Sequence, residues 1–109
     1  MNIPSIIRSA AFMLSIGFSG AIIADENGGL KIYTKWCEQC HMDSPFAPGT
    51  IQLRQSRGAD KAIIIKRDDL NPDYVRQLVR NGFAGMPNFR RTEISDPELE
   101  MLIKYLSKS

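Results

Sequence analysis

Two thiols three residues apart, with an imidazole directly behind the second, are the residues of this sequence that could do chemistry. They are Cys37, Cys40 and His41, in the order C-x-x-C-H. One helical turn carries both sulfurs to the same side, where they can bond the two vinyl groups of a single porphyrin. The next side chain then lies under the iron. The pattern predicts thioether links from Cys37 and Cys40 to a haem, with His41 as its proximal ligand. Three other chemistries use the same residues. A zinc site wants four ligands; two Cys and one His are all the sequence has, so carboxylates would have to complete it. A thiol–disulfide oxidoreductase would use Cys37 and Cys40 on a βαβ scaffold, of which the sequence carries no sign. The third is a structural disulfide beside an incidental histidine.

The iron's second ligand is sought among five methionines. Met1 and Met13 fall in an N-terminal segment expected to be removed. Met42 adjoins His41 and cannot cross to the other haem face. Met101 lies in a helical pattern. Met86 sits in a loop of Gly82, Phe83, Gly85, Pro87, Asn88 and Phe89, far enough along the chain to wrap the porphyrin. Such a methionine is otherwise core filler; here Met86 is expected to ligate the iron. A metal-bound histidine normally gives its other ring N–H to an acceptor. Proline keeps its carbonyl, so the Pro48 carbonyl is expected to accept from His41 Nδ1.

The elements that must position these residues follow in chain order. Arg8 precedes an uncharged, largely apolar run over residues 9–24. It reads as a secretory signal peptide cleaved after Ala24 or Ala21, and it is shorter than the about 20 residues of a membrane span. The expected division is a signal peptide over 1–24 and one domain over 25–109, exported to the periplasm. Haem attachment would consume both cysteines there. A domain this small normally needs a staple, and a porphyrin supplies one. The net charge of +2, without a dense basic run, gives no case for nucleic acid. No glycine-rich phosphate loop and no internal repeat are present.

Leu30, Tyr33 and Trp36 recur at helical spacing, and Gly29, Tyr33 and Cys37 share one face. Gly29 either lets another helix approach closely or only starts its own. Residues 42–50, with Pro45, Pro48 and Gly49, read as an irregular loop. Residues 51–70 are weakly patterned; a short helix over 59–66 is expected, since nothing nearby offers a partner strand. Arg54, Arg57, Lys66 and Arg67 are either propionate partners or surface charges. A helix over 72–81 has Asn71 as N-cap, Pro72 at its first position and a face of Tyr74, Val75, Leu78 and Val79. Arg76, Gln77 and Arg80 are expected to face outward, and Asn81-Gly82 ends it. Ser95 and Glu98 form a capping box for a last helix over 95–106, with Leu99, Leu102, Ile103 and Leu106 on one face. It is expected to pack near Gly29 and Tyr33. Phe83, Phe89, Leu78 and Val79 are candidate pocket walls or ordinary packing. Arg80, Arg90 and Arg91 either steer an acidic partner or form a solvated rim.

As an ordered set, Gly29 and Tyr33, C-x-x-C-H, the Pro48 loop, Met86-Pro87 and the capped last helix resemble a class I c-type cytochrome. The resemblance implies an all-α small cytochrome c fold: about four helices wrapped round one covalently attached haem c. It also implies His41 and Met86 as axial ligands, and one-electron transfer rather than enzyme activity. The stretch YVRQLVRNGF over 74–83, with Met86-Pro87-Asn88-Phe89, is similar to the small cytochrome subunits of flavin-dependent alkylphenol hydroxylases. Similar cytochromes serve quinoprotein alcohol dehydrogenases. A periplasmic flavoprotein or quinoprotein dehydrogenase is therefore the implied electron donor, and a downstream carrier the acceptor. A free carrier to a terminal oxidase, and a dithiol oxidoreductase using Cys37 and Cys40, remain the alternatives.

Overall fold

Among the described residues the helical spacing is realised in five α-helices. In chain order they are α1 (Gly28–Trp36), α2 (Glu38–His41), α3 (Pro48–Arg57), α4 (Pro72–Asn81) and α5 (Asp96–Ser107). This computed structural model describes residues 27–107. The expected signal peptide over 1–24 lies outside them. No strand occurs among the described residues; one isolated antiparallel bridge joins Phe83 and Met86.

The caps form as their residue types dictate. Asn71 Oδ1 accepts from the N–H groups of Asp73 at 2.8 Å and Tyr74 at 3.1 Å, and starts α4. The Ser95 N–H donates to Glu98 Oε1 at 2.9 Å and the Glu98 N–H to Ser95 Oγ at 3.3 Å, the reciprocal box that opens α5.

One core joins α1, α4 and α5. Ile32, Tyr33 and Cys37 meet Val75, Val79, Leu99, Leu102 and Ile103 in it, closed by Phe89 and Ile94 from the segment between α4 and α5. Gly29 sits against α5: a Cβ there would run into the Met101 carbonyl and the Tyr105 Cβ. The glycine thus has the packing role, and the Tyr33 and Tyr105 rings lie 5.9 Å apart beside it. Leu30 falls off this stripe and is exposed.

Two stretches differ from expectation. The loop after His41 ends at Ala47, and Pro48 begins α3 rather than lying in an irregular segment. Proline suits a first helical position because its missing N–H is not needed there. Over 59–66 the chain makes two 3-10 turns, Ala59–Lys61 and Ile64–Lys66, separated by an extended Ile63. Ala62 is fully buried between them. A continuous helix would spread its three isoleucines round the axis, whereas the break leaves Ile64 and Ile65 packed against the core.

Candidate haem site

Cys37 closes α1, its N–H donating to the Tyr33 carbonyl at 2.8 Å. The Cys37 carbonyl accepts from the N–H groups of Cys40 at 3.2 Å and His41 at 3.0 Å, so all three site residues share one turn. Both cysteines are free thiols; Cys37 is buried and Cys40 exposed. Burial, then the neighbouring Cys40, pushes the Cys37 thiol up to about 11. A dithiol oxidoreductase needs the opposite shift, and no βαβ unit exists among the described residues. Nor does any group of three or more His, Cys, Asp or Glu come together there as a metal site.

His41 is held through its backbone. The Tyr33 hydroxyl donates to the His41 carbonyl at 3.3 Å, and Thr50 Oγ1, fully buried, donates to the Met42 carbonyl at 2.7 Å. Burial pushes Tyr33 up to about 12, so it stays a protonated donor at neutral pH. Burial also lowers the His41 pKa, which favours the neutral imidazole, the form that binds a metal. Its Nδ1 is buried without a hydrogen-bond partner. The bond expected from Nδ1 to the Pro48 carbonyl is therefore not formed. Pro48 is the first residue of α3, where a carbonyl turns into the helix's own ladder. Gly49 instead meets the ring: a Cβ there would lie 3.0 Å from Nδ1 and 2.6 Å from the Cys40 carbonyl oxygen. Gly49, Thr50 and the Tyr33 hydroxyl were not singled out from sequence as site residues; a proline-opened helix starting at Pro48 is the signal that leads to the first two.

Met86 lies at the end of a tight hairpin. The Phe83 N–H donates to the Met86 carbonyl at 3.1 Å and the Met86 N–H to the Phe83 carbonyl at 2.9 Å. Ala84 at its tip has φ 53°. Met86 is partly buried against the cluster that contains Cys37. Phe89 anchors the segment: its N–H donates to the Val79 carbonyl at 2.7 Å, and its ring meets the Trp36 ring edge-on at 5.7 Å. Of the four candidate walls, Phe89 and Val79 are buried and Leu78 half-buried, but Phe83 is 70 % exposed; Phe46, in the loop before α3, is 87 % exposed.

The arginines divide. Arg80 does not face outward; it bonds the Phe89 and Ile94 carbonyls and the Asp96 carboxylate. Arg91 also pairs with Asp96, at 3.1 Å. Lys66 pairs with Asp43 at 2.8 Å and Arg67 with Asp69 at 2.8 Å.

The donor set fits a covalently held haem: two unpaired thiols one turn apart, an imidazole whose pKa burial lowers, and a thioether on the same core. The all-helical frame and this donor set define a c-type cytochrome, and the chain belongs to that family. Residues 24–106 match the family described as cytochrome c oxidase, cbb3-type, subunit III. The chain is also 30 % identical over 79 residues to the cytochrome c subunit of 4-cresol dehydrogenase (hydroxylating) from Pseudomonas putida. That match covers 72 % of this chain and 58 % of the relative, so the chain spans less than two thirds of the relative's length. No solved structure matches it. Membership brings one covalently bound haem c and electron transfer as the work of the chain.

Proposed function

We propose that this cytochrome is an exported, periplasmic electron relay that takes single electrons from a flavin- or quinone-cofactor dehydrogenase, as its subunit or partner, and hands them to a downstream carrier. The relative that is the cytochrome subunit of a hydroxylating dehydrogenase supports the donor class. The apolar run over 9–24 behind Arg8 supports export. When bound, haem supplies a ferrous–ferric couple. Cys37 and Cys40 would hold it as thioethers, and His41 and Met86 would ligate its iron, so the group would serve as a carrier of electrons rather than a binding site for oxygen or peroxide. Tyr33 and Thr50 fix the peptides on either side of Met42, which orients the imidazole in the folded chain. Phe89, Val79 and Trp36 keep water from the apolar side. The observation that carries this reading is the turn itself: two free thiols and a half-buried imidazole, its pKa lowered by burial, within five residues, on the core against which Met86 packs.

A second reading, a free carrier delivering to a terminal oxidase, draws on the family description, which names an oxidase subunit. Gel filtration with and without a candidate dehydrogenase separates the two. Visible spectra of oxidised and reduced protein, with a covalent haem stain, test the site. Loss of the stain in Cys37→Ala/Cys40→Ala, and loss of the Met–iron absorption in Met86→Ala, are expected. A folded, colourless preparation from a host able to attach haem would sink the proposal.

A further inference from the structure

We propose that Arg80 is the positioning residue of the methionine strap: its guanidinium clasps residues 82–95 shut and so keeps Met86 presented to the iron. The inference rests on Met86 as second axial ligand and goes on to what holds it there. Arg80 stands one residue before the end of α4. From there Nη1 donates to the Ile94 carbonyl at 2.7 Å and the Phe89 carbonyl at 3.2 Å, and Nη2 donates to Asp96 Oδ1 at 2.7 Å. The strap leaves α4 at Gly82 and ends at Asp96, the first residue of α5. One side chain at its root therefore grips its middle and its far end together.

The residues gripped are core residues. Ile94 is fully buried and Phe89 nearly so, and the Arg80 side chain is itself only 18 % exposed. Their carbonyls depend on a donor supplied by the protein. A guanidinium suits this because its planar fork serves several acceptors at once and never loses its charge. Lysine offers a point charge and could not span the same set. The Phe89 N–H to Val79 carbonyl bond, one residue along α4, acts in the same direction. Between these ties the Phe83–Met86 hairpin is the free tip of the loop, so where Met86 stands follows from how firmly the strap is closed.

Arg76 makes the comparison sharp. It lies one turn earlier on α4 and forks to Glu100 at 2.7 and 2.9 Å and to Asp73 at 2.6 Å. It too bridges α4 to α5, but it does not touch the strap.

Imidazole titration of the ferric holoprotein tests the proposal, because imidazole competes with Met86 for the iron. Loss of the Met–iron absorption reports the exchange. Arg80→Gln is expected to bind imidazole about tenfold more tightly, the factor that losing one charge-assisted hydrogen bond of the closed strap would give. Arg80→Lys should fall between it and the parent. Arg76→Gln should stay within about twofold, as an independent site does. An Arg80→Gln affinity equal to the parent's, or an equal shift in Arg76→Gln, overturns the proposal. If Arg80→Gln does not accumulate as holoprotein, Arg80→Lys read against Arg76→Lys decides by the same criterion. If the parent lacks the Met–iron absorption, or Met86→Ala retains it, the reading of Met86 fails and this one with it.

Discussion

Alanine at Gly49 would force a choice between two effects of opposite sign. A Cβ there would stand 2.6 Å from the Cys40 carbonyl oxygen, 2.9 Å from His41 Cε1 and 3.0 Å from Nδ1. Real Cβ contacts essentially never fall below 3.0 Å, so the carbonyl or the helix must retreat by at least 3.0 − 2.6 = 0.4 Å. Retreat is resisted, because the next two carbonyls along are held by Tyr33 and Thr50. Overpacking of this kind costs about 1–3 kcal/mol. Against it, Gly49 lies in a helix and has no positive φ, so alanine gains roughly 1 kcal/mol of helix propensity. The clash should win by about 1 kcal/mol, lowering the melting temperature by roughly 4–8 °C for a domain this size. Thermal and urea melts of the holoprotein measure it. Gly85→Ala is the control: its Cβ would meet nothing within 4 Å, and its stability should stay within about 0.5 kcal/mol of the parent. A Gly49→Ala protein that melts at or above the parent would refute the reasoning, since propensity alone would then decide.

Other outcomes follow from contacts of the same kind. Gly29→Ala should cost about 3 kcal/mol, the upper end for overpacking, because both atoms it strikes belong to the fixed frame of α5; urea melts check it. Asn71→Ala should cost about 1 kcal/mol through loss of the cap on α4, read by the same melts. Asp96 is held below the usual carboxylate range by hydrogen bonds from Arg91 and then Arg80. A depressed folded value means its contribution is present above the ordinary aspartate pKa of about 4 and is lost as pH falls through the folded value. Asp96→Asn should therefore flatten the acid limb of melting temperature against pH. An unchanged slope below about pH 4 would contradict that.

How far the sequence could be read depended on whether a signal was local. Asn71 with Pro72, and Ser95 with Glu98, each declare a helix start within four residues, and both helices formed where those residues place them. Gly29, Tyr33 and Cys37, spaced by four, announced the face that meets α5. The C-x-x-C-H turn needed no tertiary context to be noticed. What stayed hidden was decided by partners distant in sequence. Pro48 suits both a loop and a first helical position, and the packing of Gly49 on His41 shows which of the two it takes. Arg80 follows the polar pattern of Arg76 on α4, yet turns inward because two carbonyls of the later strap lie within its reach. The isoleucines of 63–65 have no period to read, and their 3-10 break answers to the core rather than to propensity.

The two sulfurs are not equivalent. Cys40 is open to solvent while Cys37 is sealed against α5 and the strap. An enzyme that joins a tetrapyrrole to both must reach the sealed one before the helices close, or pry them apart afterwards. On this geometry the closed fold offers a maturation enzyme only the Cys40 sulfur, and attachment at Cys37 calls for helices that stand apart.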